Sequence, residues 1–171
     1  MEQDPIERFE AVALPHLDAA YTLARYLMRD DAAAQDVVQE AFLRALKYFD
    51  RFRGGDARAW VLAIVRNTSH SWRRRQGDRP VEFDERVHSA SVEEHTPEAA
   101  LLRSADREMV RRALDRLPLE LREVIVLREI QGLSYKEIAG VAGIPIGTVM
   151  SRLSRARARL EQVLGALAGR E

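Results

Sequence analysis

Two stretches of the chain combine several arginines with no acidic residue, a composition that suits phosphate binding. Five arginines and no Asp or Glu fall between Ala57 and Arg75, and four arginines and no acid fall between Ile146 and Leu160. Guanidinium groups bind phosphate oxygens and guanine edges in a bidentate manner. Solvated surfaces usually mix both signs of charge, so these stretches favour an anion-binding role over a plain solvated surface helix.

Residue types that support catalysis or metal binding are scarce. The chain has no cysteine, which excludes disulfides, thiolate nucleophiles and Cys-ligated metal sites. Its four histidines, His16, His70, His88 and His95, show neither H-E-x-x-H spacing nor another ligand cluster. No Gly-rich phosphate loop or nucleophile elbow occurs. We therefore predict no catalytic residue, no metal site and no cofactor, and hence a protein that is not an enzyme.

The net charge of zero hides an uneven distribution along the 171 residues. Residues 1–75 contain 12 basic and 11 acidic side chains, residues 76–100 contain 2 and 7, and residues 101–171 contain 13 and 9. The acidic middle segment also has two prolines and no sustained apolar period, which predicts a linker. The net charge of zero seemed to exclude a nucleic-acid partner, but the charges of the separate segments permit one.

The two parts that flank this linker have helical spacing and almost no strand-like alternation. In the first part, the spacing predicts a long helix that buries one stripe of apolar side chains. Asp56, after the turn Arg53-Gly54-Gly55, is a predicted N-cap for the first arginine-rich helix. That helix has an apolar face opposite its cationic one, and we expect Trp60 and Trp72 to belong to the core. The predicted stripe of the long helix comprises Val38, Phe42, Ala45, Leu46 and Phe49.

The last part of the chain predicts a helix-turn-helix. Ser134 and Glu137 fit a capping box, and Gly143 supplies a position where positive φ costs little. A long amphipathic helix follows Pro145, with Val149 placed to pack between the two helices. Its expected buried stripe comprises Val149, Leu153, Ala156, Leu160, Val163 and Leu167. The opposite face has small hydroxyl side chains and arginines, which suits the major groove of DNA; a hairpin for protein contacts is the alternative.

We therefore expect an all-α chain of two small helical domains joined by an acidic flexible linker, the C-terminal domain being the helix-turn-helix. The expected limits are 1–76, 77–103 for the linker and 104–171. The N-terminus lacks the basic start and apolar run of a signal peptide, and no apolar stretch approaches the roughly 20 residues that cross a bilayer. We expect a cytoplasmic protein with no direct membrane insertion.

Several motifs resemble those of bacterial RNA polymerase sigma factors. Asp36-Val37-Val38-Gln39-Glu40-Ala41-Phe42, Phe52-Arg53-Gly54 and the segment 59–67, AWVLAIVRN, resemble sigma region 2. Leu133-Ser134-Tyr135-Lys136-Glu137-Ile138-Ala139, followed by residues 143–149, GIPIGTV, resembles region 4. The order of the motifs and the short linker resemble the extracytoplasmic-function (ECF) group.

The resemblance implies roles for named residues of the first part. Binding of core RNA polymerase would involve Asp36, Gln39, Glu40, Leu43 and Arg44. Capture of a flipped base of the −10 element and of the melted strand would involve Phe52, Arg53, Gly54, Arg66, Asn67, His70, Arg73 and Arg74, where a turn beside a cationic track supplies the pocket that flipping needs.

The helix-turn-helix would recognise the −35 element of promoter DNA. Base or backbone contacts are expected from Thr148, Ser151, Arg152 and Arg155, and phosphate contacts from Lys136 and Arg157. Met150 departs from the lysine of many relatives, so one phosphate contact is missing or replaced. The family also implies an anti-sigma factor as a partner, and a linker that passes through the polymerase near the RNA exit path, where its negative charge can mimic nucleic acid.

An autonomous helix-turn-helix regulator is the competing interpretation. Such a protein would need a dimer interface to recognise a palindrome and would bind duplex DNA without polymerase. A sigma factor should bind promoter DNA poorly alone and well with core enzyme.

Overall fold

The computed structural model describes residues 2–77 and 106–169, which form two separate compact units. Every regular element in these two ranges is helical, which confirms the all-α prediction. The predicted linker 77–103, apart from Gly77, lies outside the described residues, as do residues 104–105 and 170–171 of the predicted C-terminal domain.

The N-terminal unit contains four α-helices, α1 Pro5–Ala13, α2 Leu17–Leu27, α3 Asp31–Lys47 and α4 Ala57–Arg75, with 3-10 turns at Leu14–His16 and Phe49–Arg51. An aspartate begins three of them: Asp4 caps α1, Asp30 caps α3 and Asp56 caps α4. The Asp56 carboxylate accepts the Ala59 amide over 3.1 Å, which confirms the predicted cap. Each cap satisfies an amide that the helix itself leaves unpaired.

Helices α2, α3 and α4 pack around the core of this unit, and α3 does so through a different stripe than expected. Leu46 is 39% exposed, Phe42 is only half-buried, and Phe49 is half-buried in the 3-10 turn beyond the helix, so these three expectations were wrong. The buried face of α3 comprises Ala34, Val37, Val38, Ala41 and Ala45. Three alanines on that face allow its neighbours to approach closely, and the large apolar residues are turned outward. Trp60 and Trp72 are also half-buried rather than core residues.

The C-terminal unit contains α5 Arg107–Asp115, α6 Leu119–Ile125, α7 Tyr135–Ala142 and α8 Ile146–Ala168. Helix α6 continues into a π-helical turn, Val126–Ile130, which Gly132 ends with a φ of +72°. The fully buried side chains of this unit are dominated by leucine and isoleucine, among them Leu114, Leu121, Leu127, Ile138, Leu153 and Leu160.

The helix-turn-helix of α7 and α8 is confirmed in its details. The Ser134 hydroxyl accepts the Glu137 amide over 3.1 Å, and the Glu137 carboxylate accepts the Ser134 amide over 2.9 Å. Gly143 ends α7 in the left-handed region with a φ of +68°, and Val149 is fully buried. Further along α8, Leu164 is buried whereas the expected Val163 and Leu167 are half-buried.

A buried arginine that the sequence analysis did not single out joins α5 to α6. The Arg122 guanidinium, in a residue 6% exposed, donates to the carbonyls of Leu114 at 2.8 Å, Asp115 at 3.1 Å and Leu117 at 2.9 Å. These carbonyls lie at the end of α5 and in the turn that follows it, and the Leu114 carbonyl also accepts the Leu117 amide over 3.0 Å. Arg122 thereby fixes the turn that precedes α6.

Candidate nucleic-acid interface

The first turns of α8 present the predicted DNA-contacting side chains on one partly exposed surface. Thr148, Ser151, Arg152 and Arg155 are all half-buried there, and Lys136 is exposed on the first turn of α7. No residue from Ile146 to Leu160 is acidic. The hydroxyl of Ser151 donates weakly to the Thr148 carbonyl over 3.4 Å, and both of these residues have short side chains. Short side chains let a helix approach base edges, and the arginines supply the charge.

Arg157 does not join this surface, and its assignment as a phosphate contact needs correction. The residue is 3% exposed, and its guanidinium donates to the Glu129 carboxylate over 3.0 Å. Glu129 lies on the π-helical turn after α6. The sequence contained a signal for this placement, since Arg157 follows Leu153 by four residues and precedes Leu160 by three, which is a core position of the helix.

On α4 the predicted strand-binding side chains are exposed or half-buried. Asn67 and Arg74 are exposed, and Arg66 and His70 are half-buried. The Arg66 guanidinium donates to the Asn67 side-chain oxygen over 3.2 Å, so these two neighbours form one polar group. Arg73 differs, because its guanidinium donates to the Leu27 carbonyl at the end of α2 over 2.8 Å. This hydrogen bond gives Arg73 a structural role, which the distribution of charges along the sequence did not indicate.

The turn before α4 is built from two glycines and a cluster of aromatic rings. Gly54 and Gly55 have φ values of +88° and +89°, a region that residues with a side chain rarely adopt. The rings of Phe52 and Trp60 lie 5.0 Å apart, and those of Phe49 and Phe52 stack at 6.1 Å. Phe52 is therefore half-buried in the cluster, while Arg53 and Gly54 are exposed at its edge.

The outer face of α3 gathers the residues predicted to bind polymerase. Asp36, Gln39 and Leu43 are exposed, and Leu43 is 63% exposed although it is apolar. Glu40 is partly exposed and accepts from Arg44 of its own helix at 3.3 Å and from Arg75 at the end of α4 at 3.0 Å. This face therefore has one exposed apolar side chain among polar and acidic ones, and Glu40 forms ion pairs with two arginines.

Other kinds of site find no support in the described part of the chain. Within residues 2–77 and 106–169, no three His, Cys, Asp or Glu side chains come together in a group that could hold a metal ion. In the same ranges, no helix has the length and apolar character needed to cross a membrane.

Comparison with known proteins decides the family. The chain matches sigma-70 region 2 over residues 13–79 and sigma-70 region 4 over residues 107–160. It is 39% identical over 151 residues to the ECF RNA polymerase sigma-E factor of Escherichia coli, covering 83% of this chain and 78% of that one. The chain belongs to the ECF group of sigma-70 factors. This sigma factor is also 34% identical over 165 residues to the RNA polymerase sigma-H factor of Pseudomonas aeruginosa, covering 91% and 86% of the two chains.

Two solved structures are similar to this sigma factor. One is RpoE of Bartonella quintana in complex with the anti-sigma factor NepR, with a TM-score of 0.72, 31% identity, and coverage of 93% of this sigma factor and 98% of that chain. Another is CnrH in complex with the cytosolic domain of CnrY, with a TM-score of 0.66, 30% identity, and coverage of 92% and 88%. The candidate residues from Asp36 to Arg74 lie within the region 2 match, and those from Lys136 to Arg157 within the region 4 match.

Proposed function

We propose that this ECF sigma factor docks on core RNA polymerase through α3 and directs it to promoters by capturing the −10 element with the N-terminal unit and recognising the −35 element with α7 and α8. The observation that carries the proposal is the presence, in one chain, of a region 2 match and a region 4 match whose predicted contact residues are exposed or half-buried, apart from the buried Arg157.

Core docking is assigned to the outer face of α3. Leu43 is 63% exposed, and burying such a side chain contributes roughly 1.5–3 kcal/mol. Asp36 and Gln39 surround it with polar groups, and Glu40 and Arg44 complete the face. An apolar centre with a polar rim is the usual anatomy of a protein interface. Because Glu40 already pairs with Arg44 and Arg75, docking on a cationic partner would exchange these bonds.

Strand capture is assigned to the glycine turn and the exposed part of α4. Arg53 and Gly54 lie at the edge of the aromatic cluster, and Phe52 is held within it. Arg66, Asn67, His70 and Arg74 continue from there along α4 as a track for the backbone of a single strand. Arg73 contributes to this surface chiefly by holding α4 to the end of α2.

Recognition of the −35 element is assigned to Thr148, Ser151, Arg152 and Arg155, with Lys136 on a backbone phosphate. Arginine discriminates guanine from other bases through a bidentate contact worth roughly 1–3 kcal/mol. Arg157 is excluded from this set because it lies inside the unit. Half-buried Met150 supplies no positive charge at its position, so fewer phosphate contacts are expected from this helix than from relatives with lysine there.

We also propose an anti-sigma factor as a partner. RpoE, which is similar to this chain, is found in complex with the anti-sigma factor NepR, and CnrH is found in complex with the cytosolic domain of CnrY. The acidic segment 77–103 is proposed as the linker between domains 1–76 and 104–171. Sigma factors are not enzymes, and we propose that this one acts in the cytoplasm, bound to polymerase.

Run-off transcription with purified core polymerase and a promoter library tests the proposal. We expect initiation from a defined set of sequences only when both proteins are present, and little binding of duplex DNA by the sigma factor alone. Tight, specific binding of a palindromic duplex without polymerase, together with no initiation in its presence, would favour the autonomous regulator and refute the proposal.

A further inference from the structure

The Glu40 carboxylate on the outer face of α3 has an arginine bound to each of its two oxygens. Arg44 of the same helix donates to Oε1 over 3.3 Å, and Arg75 at the end of α4 donates to Oε2 over 3.0 Å. Arg44 lies one helical turn from Glu40, whereas Arg75 is 35 residues away in the chain. The pair of Glu40 with Arg75 is therefore a tertiary contact, which the motif on α3 does not contain.

Arg75 is held near Glu40 by a second contact. Its guanidinium lies over the ring of Trp72, 5.3 Å from the centroid, and Trp72 is three residues earlier on α4. Guanidinium groups are attracted to the face of an indole ring. Because the ring and the helix keep the cation beside the carboxylate, Arg75 acts on Glu40 at the high effective concentration of an intramolecular ligand.

The pair remains accessible to a binding partner. The side chain of Arg75 is 57% exposed and that of Glu40 is 29% exposed. Exposed ion pairs contribute little to stability, so a partner can replace one of their members at a small cost. An arginine of a partner that binds a carboxylate in the bidentate manner needs both carboxylate oxygens. In the free sigma factor, Arg75 occupies one of the two.

We propose that Arg75 competes with core polymerase for the Glu40 carboxylate and thereby lowers the core affinity of the free sigma factor. The inference rests on the proposed function, because Glu40 is assigned there to core docking. It adds a residue of α4 to the determinants of core affinity and gives it an effect opposite in sign to that of the docking residues. The partner surface at Glu40 presents a guanidinium or ammonium group, which takes the place of Arg75.

The test compares the core affinities of full-length sigma factor variants by competition with a labelled sigma factor for purified core polymerase, at several salt concentrations. Arg75→Gln removes the competing charge, Glu40→Gln removes the carboxylate, and a double variant combines both changes. Arg25→Gln, at an exposed arginine of α2 outside the docking face, changes the net charge by the same amount as Arg75→Gln and is the control. Circular dichroism checks that every variant is folded.

We expect Arg75→Gln to bind core polymerase about two- to fivefold more tightly than Arg25→Gln at low salt, which is the range for one exposed ion pair. The gain should shrink as the salt concentration rises and screens the pair. When Glu40→Gln is already present, the further change Arg75→Gln should leave core affinity unchanged, because the two residues act as one unit.

Two results would overturn the inference. A core affinity of Arg75→Gln equal to that of the control would show that there is no competition, and a weaker one would show that Arg75 itself binds polymerase. In both cases, a loss of core affinity in Glu40→Gln leaves the proposed function intact. An unchanged core affinity in Glu40→Gln would instead refute the docking assignment of Glu40, and this inference with it.

Discussion

The guanidinium of Arg157 donates to the carboxylate of Glu129 over 3.0 Å inside the C-terminal unit, with side chains only 4% and 17% exposed. The pair joins α8, which bears the proposed −35 contacts, to the π-helical turn after α6. Arg157 is buried and Glu129 is partly exposed, so we expect the pair to favour this arrangement of α8 against the turn.

We predict that Arg157→Ala destabilises the C-terminal unit by about 1–3 kcal/mol, because it leaves the partly exposed Glu129 carboxylate without this partner. Both tryptophans, Trp60 and Trp72, lie in the N-terminal unit. Urea unfolding followed by circular dichroism should therefore show an early transition while the tryptophan fluorescence transition stays in place. The exposed Arg159 provides the control, and an Arg157→Ala variant as stable as Arg159→Ala would contradict the assignment.

Two neighbouring residues at the start of α7 are expected to have different roles, Ser134 in stability and Lys136 in DNA contact. Ser134→Ala should cost about 1 kcal/mol of unfolding free energy by removing the N-cap of α7. Lys136→Ala, at an exposed position, should change stability by less than about 0.5 kcal/mol and lower the salt dependence of promoter binding by about one unit. Thermal melting and binding at several salt concentrations check both. A salt dependence unchanged by Lys136→Ala would remove this phosphate contact.

Leu43 should contribute to polymerase binding without contributing to the fold. Leu43→Ala is expected to weaken core affinity by about 1.5–3 kcal/mol while the unfolding transition stays within about 0.5 kcal/mol of wild type. Leu14, 48% exposed in the same unit but outside α3, gives the matched Leu14→Ala control. Equal core affinities for the two variants, measured by competition for core enzyme, would show that this face of α3 is not the docking surface.

Two adjacent arginines of α4 should behave differently. Arg73→Ala removes a donor from the Leu27 carbonyl and should cost about 1–3 kcal/mol in the tryptophan-monitored unfolding transition. Arg74→Ala, at an exposed position, should leave that transition in place and lower the salt slope of single-strand binding by about 0.7. If the two variants unfold together, Arg73 does not fix α4 to α2 as described.

Arg155 is expected to contribute to sequence discrimination. Arg155→Ala should cost about 1–3 kcal/mol at the promoters it recognises and relax selectivity at one base pair. Transcription from promoters with single changes in the −35 element measures this loss. The exposed Arg107 of α5 serves as the comparison, and unchanged selectivity in Arg155→Ala would remove this residue from the base contacts.

The amino-acid sequence by itself was sufficient for the helices, the capping box, the glycine turn of the helix-turn-helix and the family. These features depend on local rules: Ser134 and Glu137 are three residues apart, and Gly143 is followed by a new helix. Local hydrogen bonding and backbone strain act between neighbours in the chain, so the pattern of residue types contains them.

Only the tertiary structure decided which side chains of a helix meet which neighbours. By residue type alone, Arg157 and Arg73 would be expected on the surface. Arg157 is instead bound by the Glu129 carboxylate, 28 residues away in the chain, and Arg73 by the Leu27 carbonyl, 46 residues away. The sequence also could not show which face of α3 is buried, because small alanines and larger apolar residues compete for the core. Close packing against α2 and α4 resolves that competition, and it leaves Leu43 and Leu46 exposed.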